Sequence, residues 1–146
     1  MPGVLVGIDG SDHSQRALEW AAKEAALRHE PLTVFTVFQA VAGFWGGTLN
    51  YPEDEALTQG AREAVQAETD KVLAGLGDSR PESVTVRAVK GIPAEELINA
   101  SRDAGMIVLG SRGSGGFARL RLGSVSSHVV HHAHAPVVII PHADRG

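Results

Sequence analysis

Short apolar runs alternate along the chain with longer segments in which apolar residues recur at helical spacing. Five runs have the length and the β-branched content of strands, and the four segments between them have the spacing of amphipathic helices. The predicted strands cover residues 4–8, 32–38, 83–89, 106–109 and 136–140. Strands that alternate with helices are typical of a parallel sheet with right-handed crossovers. We therefore predict one α/β domain over residues 1–146, an open five-stranded parallel sheet with helices on both faces.

Residues that favour helix termini mark the predicted helices. Asp12 and Gln15 have the spacing of a capping box, and Pro31 is expected to break the helix that follows them. Pro93 stands where the first turn of the third helix is expected, a position that tolerates proline. The fourth helix is predicted over residues 124–133, directly before the last strand.

The composition mainly excludes certain classes of function and of site. A net charge of −4 disfavours a nucleic-acid-binding surface and a polybasic membrane anchor, since both need clustered Lys and Arg. The absence of cysteine excludes disulfides, thiolate metal sites and cysteine nucleophiles. No apolar run approaches the roughly 20 residues that span a bilayer, and no secretory signal pattern is visible. We expect a cytoplasmic protein that binds neither nucleic acid nor membrane.

The candidate site follows from the predicted sheet. Ligands of open parallel sheets bind beyond the carboxyl ends of the strands, where the strand order reverses. If the order is 3-2-1-4-5, this reversal lies between the first and fourth strands. The two most distinctive loops follow those strands, Asp9-Gly10-Ser11 after the first and Gly110-Ser111-Arg112-Gly113 after the fourth. The sequence therefore predicts a Rossmann-like fold with its ligand site between these loops.

The segment from 110 to 126 is rich in glycine and serine. Gly110 would let a ligand approach the backbone without a Cβ in the way. Gly123 and Ser124 open a helix whose free N–H groups and positive dipole end favour an anion, and Ser126 adds a hydroxyl donor. From composition alone, a flexible surface loop is an equally good interpretation. The segment has neither the Walker A sequence nor the dinucleotide spacing G-x-G-x-x-G.

Gly110, Gly113 and the pair Gly123-Ser124 have the spacing G-x2-G-x9-G-S/T, and in this the chain resembles the ATP-binding branch of the universal stress protein family. The resemblance extends over nearly the whole chain. Residues 4–11 look like the first strand and turn of that family, 17–21 like its first helix, 89–95 like its third-strand exit and 135–141 like its closing strand. Four matches in the expected order make a specific signal.

The resemblance implies that the chain binds an adenine nucleotide, foremost ATP, with AMP, ADP and cyclic AMP as alternatives and Mg²⁺ held through the phosphates. Asp9 would lie beside the ribose or a phosphate-bound metal, and Val37 would meet the adenine through its backbone. Leu109 and Gly110 would line the base and ribose. The other predicted contacts are Gly7, Ile8, Gly10, Ser11, Ser111, Arg112, Gly113, Gly123, Ser124, Val125 and Ser126.

The resemblance also implies a homodimer in which the last strand, 136–140, pairs with its twin, and this would explain so apolar a strand at a sheet edge. The expected function is a nucleotide-dependent stress-response or signalling module. Phosphoryl transfer needs a group that positions the nucleophile, and the sequence shows no recognisable base for this role. Two alternatives stay open: a slow ATPase or self-phosphorylating enzyme with Ser124 or Ser126 as acceptor, and a dimeric interaction protein with an empty pocket.

Asp9 has three interpretations: a ligand contact, which we favour, a helix cap or turn former, and a catalytic base. Phe44 and Trp45 lie in a glycine-flanked loop and are expected to pack on their own domain rather than to cover the adenine. Arg119 and Arg121 are expected to face solvent, with a phosphate or partner contact as the alternative.

Four histidines cluster on and after the last helix, at positions 128, 131, 132 and 134. His128 and His132 have the i, i+4 spacing of many zinc-binding helices. No Asp or Glu accompanies them before Asp144. The sequence therefore favours surface or packed histidines over a metal site.

Overall fold

The structure, a computed structural model, describes residues 3–9, 12–38, 52–111 and 123–141. The five strands are β1 (Val4–Gly7), β2 (Leu32–Phe38), β3 (Val84–Lys90), β4 (Met106–Gly110) and β5 (Val137–Ile140). Neighbouring strands all pair in parallel, and the sheet has the order β3-β2-β1-β4-β5. The predicted fold class and strand order are confirmed. Five of the ten strand ends match the predicted ones, and the other five differ by one residue.

Four helices connect the strands: α1 (Asp12–Arg28), α2 (Pro52–Ala74), α3 (Pro93–Ala100) and α4 (Ser124–His132). A short 3-10 turn, Ser101–Asp103, follows α3. Pro93 occupies the start of α3, as predicted, because the first turn needs no N–H donor from that position. Within the described ranges, none of the helices is long and apolar enough to cross a membrane.

The sheet separates two apolar cores, and residue parity decides which core a strand residue joins. Even-numbered residues such as Val6, Val34 and Val108 pack against α1 and α2. Odd-numbered residues such as Phe35 and Ile107 pack against α3 and α4. Because successive side chains of a strand point to opposite faces, strands buried on both sides must be apolar at almost every position. This explains the near-continuous apolar runs in the sequence.

The end of α1 differs from the predicted one. The helix stops at Arg28, before Pro31, and His29 adopts the left-handed conformation with φ 55°. The N–H of His29 donates to the Ala26 carbonyl at 3.2 Å, and that of Glu30 to the Ala25 carbonyl at 3.0 Å. This pair of bonds is the Schellman motif, which satisfies the last carbonyls of a helix. A local backbone motif, rather than the proline, ends α1.

Gly7, at the carboxyl end of β1, lies under two leucines of the α3 and α4 side. A Cβ built on Gly7 would lie 2.8 Å from Cδ2 of Leu109 and 3.0 Å from Cδ2 of Leu97. Both leucines are buried, at 4% and 5% exposure, so they have little room to move. Glycine at this position therefore allows close packing between β1, α3 and β4.

Replacement of Gly7 by alanine should lower the free energy of unfolding by about 1–3 kcal/mol, because the added methyl overpacks the core. The matched control is Gly60→Ala in α2, where no atom of the described residues lies within 4 Å of the built Cβ. That change should stabilise the fold by up to about 1 kcal/mol, since alanine is the better helix former. Urea unfolding of both variants measures the difference, and equal stabilities would contradict the packing argument.

Candidate functional site

The carboxyl ends of β1, β2 and β4 lie side by side in a fixed register. Gly7 is aligned with Phe35 of β2, and Val6 with Val108 of β4. The hydrogen-bond ladder continues one residue past β1, because the N–H of Ile8 donates to the Phe35 carbonyl at 2.9 Å. The chain therefore leaves β1 in extended alignment with its neighbours, as the predicted switch point requires.

Continuing this register by two residues brings Asp9 level with Val37 and Ser111. All three positions are odd, the parity that faces α3 and α4 within the strands, and Val37 packs on that side. Asp9 is exposed, Val37 is half-buried and Ser111 is buried. The register, continued past the strand ends, thus assigns three of the predicted contacts to matching positions at the carboxyl edge of the sheet.

Ser111 joins the end of β4 to two other elements through its main chain. Its N–H donates to the Ile140 carbonyl at 2.9 Å, which extends the ladder between β4 and β5. Its carbonyl accepts the N–H of Gly123 at 2.7 Å. Because Gly123 is the N-cap of α4, this second bond fixes the start of α4 at the carboxyl edge of β4.

The first turn of α4 has main-chain N–H groups without an acceptor in the part of the chain that the structure describes. Gly123 caps the helix without a side chain, and the N–H groups of Ser124, Val125 and Ser126 have no backbone acceptor among the described residues. Such orphan N–H groups, together with the positive end of the helix dipole, favour an anion. Ser124 is exposed at this turn, so an anion from solvent can reach it.

Ser126 has a structural contact that the sequence did not predict. Its side chain is buried, and its Oγ donates a 2.7 Å hydrogen bond to the Gly110 carbonyl. The hydroxyl proton is thus committed to β4, and the part of Ser126 that remains for a phosphate is its main-chain N–H. The i, i+16 separation leaves no sequence signal, since the contact depends on how α4 packs against β4.

The hydroxyl of Ser111 differs from that of Ser126 in its hydrogen bonding. Ser111 is 7% exposed, and its Oγ has no hydrogen-bond partner in the part of the chain that the structure describes. A buried hydroxyl without a partner costs free energy, so such a group commonly marks a position where a ligand or water binds. It lies at the same edge as Asp9 and next to the N-cap of α4.

The remaining predicted contacts divide into packed residues and residues outside the described ranges. Ile8 and Leu109 are buried in the two cores, and Val125 is half-buried against the α3 and α4 side. Their side chains therefore support the edge, and a ligand would meet their backbone. The predictions that lie outside the described residues are those for Gly10, Ser11, Phe44, Trp45, Arg112, Gly113, Arg119 and Arg121.

Comparison with known proteins gives a consistent result. The family model described as "Universal stress protein family" matches residues 2–141. A universal stress protein of Mycobacterium tuberculosis H37Rv is 40% identical over 144 residues, which are 97% of this chain and 48% of that protein. The chain therefore spans about half the length of the curated relatives it matches.

Solved structures share the fold. The universal stress protein UspA from Lactobacillus plantarum is 26% identical with a TM-score of 0.71, covering 95% of this chain and 97% of that one. A universal stress protein in complex with cAMP has 24% identity and a TM-score of 0.65, with 96% of both chains covered. One from Archaeoglobus fulgidus in complex with dAMP has 23% identity and a TM-score of 0.62, covering 96% of this chain and 98% of that one.

Replacement of Ser126 by alanine should lower the free energy of unfolding by about 1–2 kcal/mol, because a buried hydrogen bond to Gly110 is lost. Ser124→Ala is the matched control, since its side chain is exposed in the same turn and should change stability by no more than about 0.5 kcal/mol. Denaturant unfolding followed by circular dichroism measures both. A Ser126 variant as stable as the Ser124 variant would contradict the anchoring role.

Proposed function

The chain belongs to the universal stress protein family, and we propose that it binds an adenine nucleotide, preferentially ATP, at the carboxyl edge of β1, β2 and β4. The bound nucleotide would act as a signal, so that occupancy changes the contacts of a stress-response or signalling module. Support comes from the geometry of this edge, from the glycine spacing, and from relatives of the same fold whose complexes contain cAMP and dAMP.

The observation that carries the proposal is the buried hydroxyl of Ser111 beside the start of α4, which has no hydrogen-bond partner among the described residues. A phosphate oxygen at this position would accept a hydrogen bond from Ser111 Oγ and others from the N–H groups of Ser124 and Val125. Hydrogen bonds to a charged group contribute about 1.5–3 kcal/mol each. The Ser111 hydroxyl, which costs free energy when it is buried alone, would therefore stabilise the complex with the phosphate.

The rest of the nucleotide is proposed to lie along the same carboxyl edge. Val37 offers main-chain groups and a half-buried apolar side chain for the adenine. Asp9, exposed at the end of β1, would accept hydrogen bonds from the ribose hydroxyls. Its carboxylate also suits Mg²⁺, which proteins commonly bind through one or two carboxylates and the phosphates of the ligand. The metal would neutralise phosphate charge there.

Binding rather than turnover is the function that these residues favour. Asp9 is the one carboxylate among the predicted contacts, and a ribose or metal contact already occupies it in the proposed arrangement. Fast phosphoryl transfer requires a further group that orients the attacking nucleophile. The hydroxyl of Ser126 is buried and bonded to Gly110, which disfavours it as a phosphate acceptor.

We also propose that the chain forms a homodimer through the outer edge of β5. The carbonyls of Pro136 and Ile140 accept hydrogen bonds from the N–H groups of Ile107 and Ser111. The main-chain groups of Val137 and Ile139 therefore face the other way. No described residue pairs with this outer edge. An apolar edge strand with free donors and acceptors is a ready site for pairing with another chain.

Calorimetric titration tests the nucleotide site. We expect ATP with Mg²⁺ to bind more tightly than ADP, AMP or cyclic AMP. Ser124→Asp should weaken ATP binding by about tenfold or more, because it adds a negative charge beside the proposed phosphate position. The same change should leave folding stability equal or higher by about 0.3–1 kcal/mol, since an acidic residue in the first turn favours the helix.

Two controls sharpen this experiment. Adenosine, which lacks phosphate, should bind the Ser124→Asp protein and the parent chain equally. Ser83→Ala, an exposed serine before β3 at the opposite edge of the sheet, should leave ATP affinity unchanged. Unaltered ATP affinity in the Ser124→Asp protein would refute the placement of the phosphates at α4, and no measurable binding of any adenine nucleotide would refute the function.

The dimer is tested by Ile139→Pro with Ile139→Val as its matched control. Proline removes an N–H that faces away from β4, so the ladder between β4 and β5 is preserved while edge pairing is blocked. We expect the valine variant to remain dimeric and the folded proline variant to be monomeric in light scattering coupled to size exclusion. A proline variant that dimerises like the parent chain would exclude pairing through β5.

A further inference from the structure

The exposed face of α4 carries histidines through its last two turns. Ser126 and Val129 point inward and are buried, while His128, His131 and His132 are exposed on the opposite side. Residues four apart lie one above the other on a helix, so His128 and His132 share one stripe. The nucleotide site proposed above uses none of these side chains.

The rings of His128 and His132 are close neighbours. Their centroids lie 4.7 Å apart with the ring planes tilted by 41°. Neither ring has a hydrogen bond to any described residue. His131 differs, because its Nδ1 donates to the Ser127 carbonyl at 2.8 Å and its ring centroid is 6.4 Å from that of His132. Two adjacent imidazoles on this helix therefore have their nitrogens available.

We propose that His128 and His132 form a two-nitrogen binding site for a divalent transition-metal ion of the Zn²⁺, Ni²⁺ or Cu²⁺ class. Two nitrogens that bind one metal at about 2 Å each lie no more than about 4 Å apart. The ring centroids are already 4.7 Å apart, and both side chains are exposed, so one nitrogen of each ring would come to that separation by side-chain rotation.

The rest of the coordination sphere would be water. Across the described residues, no group of three or more His, Cys, Asp or Glu side chains is placed to hold a metal. The site is thus an exchangeable surface site rather than a closed structural one, which would hold four protein ligands. Imidazole ligands select Zn²⁺, Ni²⁺ and Cu²⁺, whereas Mg²⁺ prefers oxygen ligands.

The position of the histidine pair on α4 favours a bound cation electrostatically. His131 and His132 stand in the last turn of α4, where the carbonyl end of the helix dipole favours positive charge. A metal that joins residues 128 and 132 also spans one turn of helix and holds that turn in helical geometry. Metal loading should therefore raise the thermal stability of the chain as well as bind to it.

The test is calorimetric titration of the full chain, free of any affinity tag, with nickel, zinc and magnesium chlorides in the absence of nucleotide. We expect one Ni²⁺ or Zn²⁺ per chain, no binding of Mg²⁺ at this site, and an increase in Tm with Zn²⁺. His128→Gln and His132→Gln should each weaken Ni²⁺ binding by about tenfold or more and abolish the Tm increase.

His29→Asn is the matched control, because His29 is an exposed histidine at the far end of α1. Asparagine tolerates its left-handed conformation, so this variant should fold and bind Ni²⁺ like the parent chain. The exposed rings of His128 and His132 make few packing contacts, and circular dichroism checks that their variants fold. Ni²⁺ affinity unchanged in both, or lost equally in the His29 variant, would overturn the proposed site.

Discussion

The parallel hydrogen-bond ladder that joins β1 to β2 and β4 is the constraint on which the rest of the structure depends. It fixes which residues are level at the carboxyl edge, and the two-residue period of a strand fixes which face they join. A slip of one residue in β1 would move Asp9 to the α1 and α2 side, away from Ser111. Burial on both faces opposes that slip, because it would also move Val6 out of the core beside α1 and α2 and into the core beside α3 and α4.

The proposed site also depends on the attachment of α4 to the carboxyl edge of the sheet. Two short hydrogen bonds hold its first turn, one from the Gly123 N–H to Ser111 and one from the Ser126 hydroxyl to Gly110. Val129 then packs fully buried in the core one turn further along. The donors of the helix N-terminus are therefore positioned by contacts with the end of β4. Such preorganisation lowers the entropic cost of binding an anion.

Local patterns in the sequence predicted the strands and the start of α3. The five apolar runs identified the strands because burial on both faces leaves little room for polar residues, and Pro93 marked the start of α3. The strand order had to be assumed, since pairing between distant segments has no local signal. The same reason explains why the Ser126 contact with Gly110 was missed. The end of α1 at His29 was missed because any residue other than glycine is uncommon in the left-handed region.

The two ends of α4 have opposite chemistry for one physical reason. The peptide dipoles of the helix leave partial positive charge at Ser124 and partial negative charge near His132, so an anion is favoured at one end and a cation at the other. Position 130 is midway between His128 and His132, and it lies roughly 9 Å from residue 124 along the helix axis. That distance is close to the Debye length of about 8 Å at physiological ionic strength, so direct attraction between the two ligands would be weak. Any coupling between them would have to pass through the order of the helix itself, which both ligands stabilise.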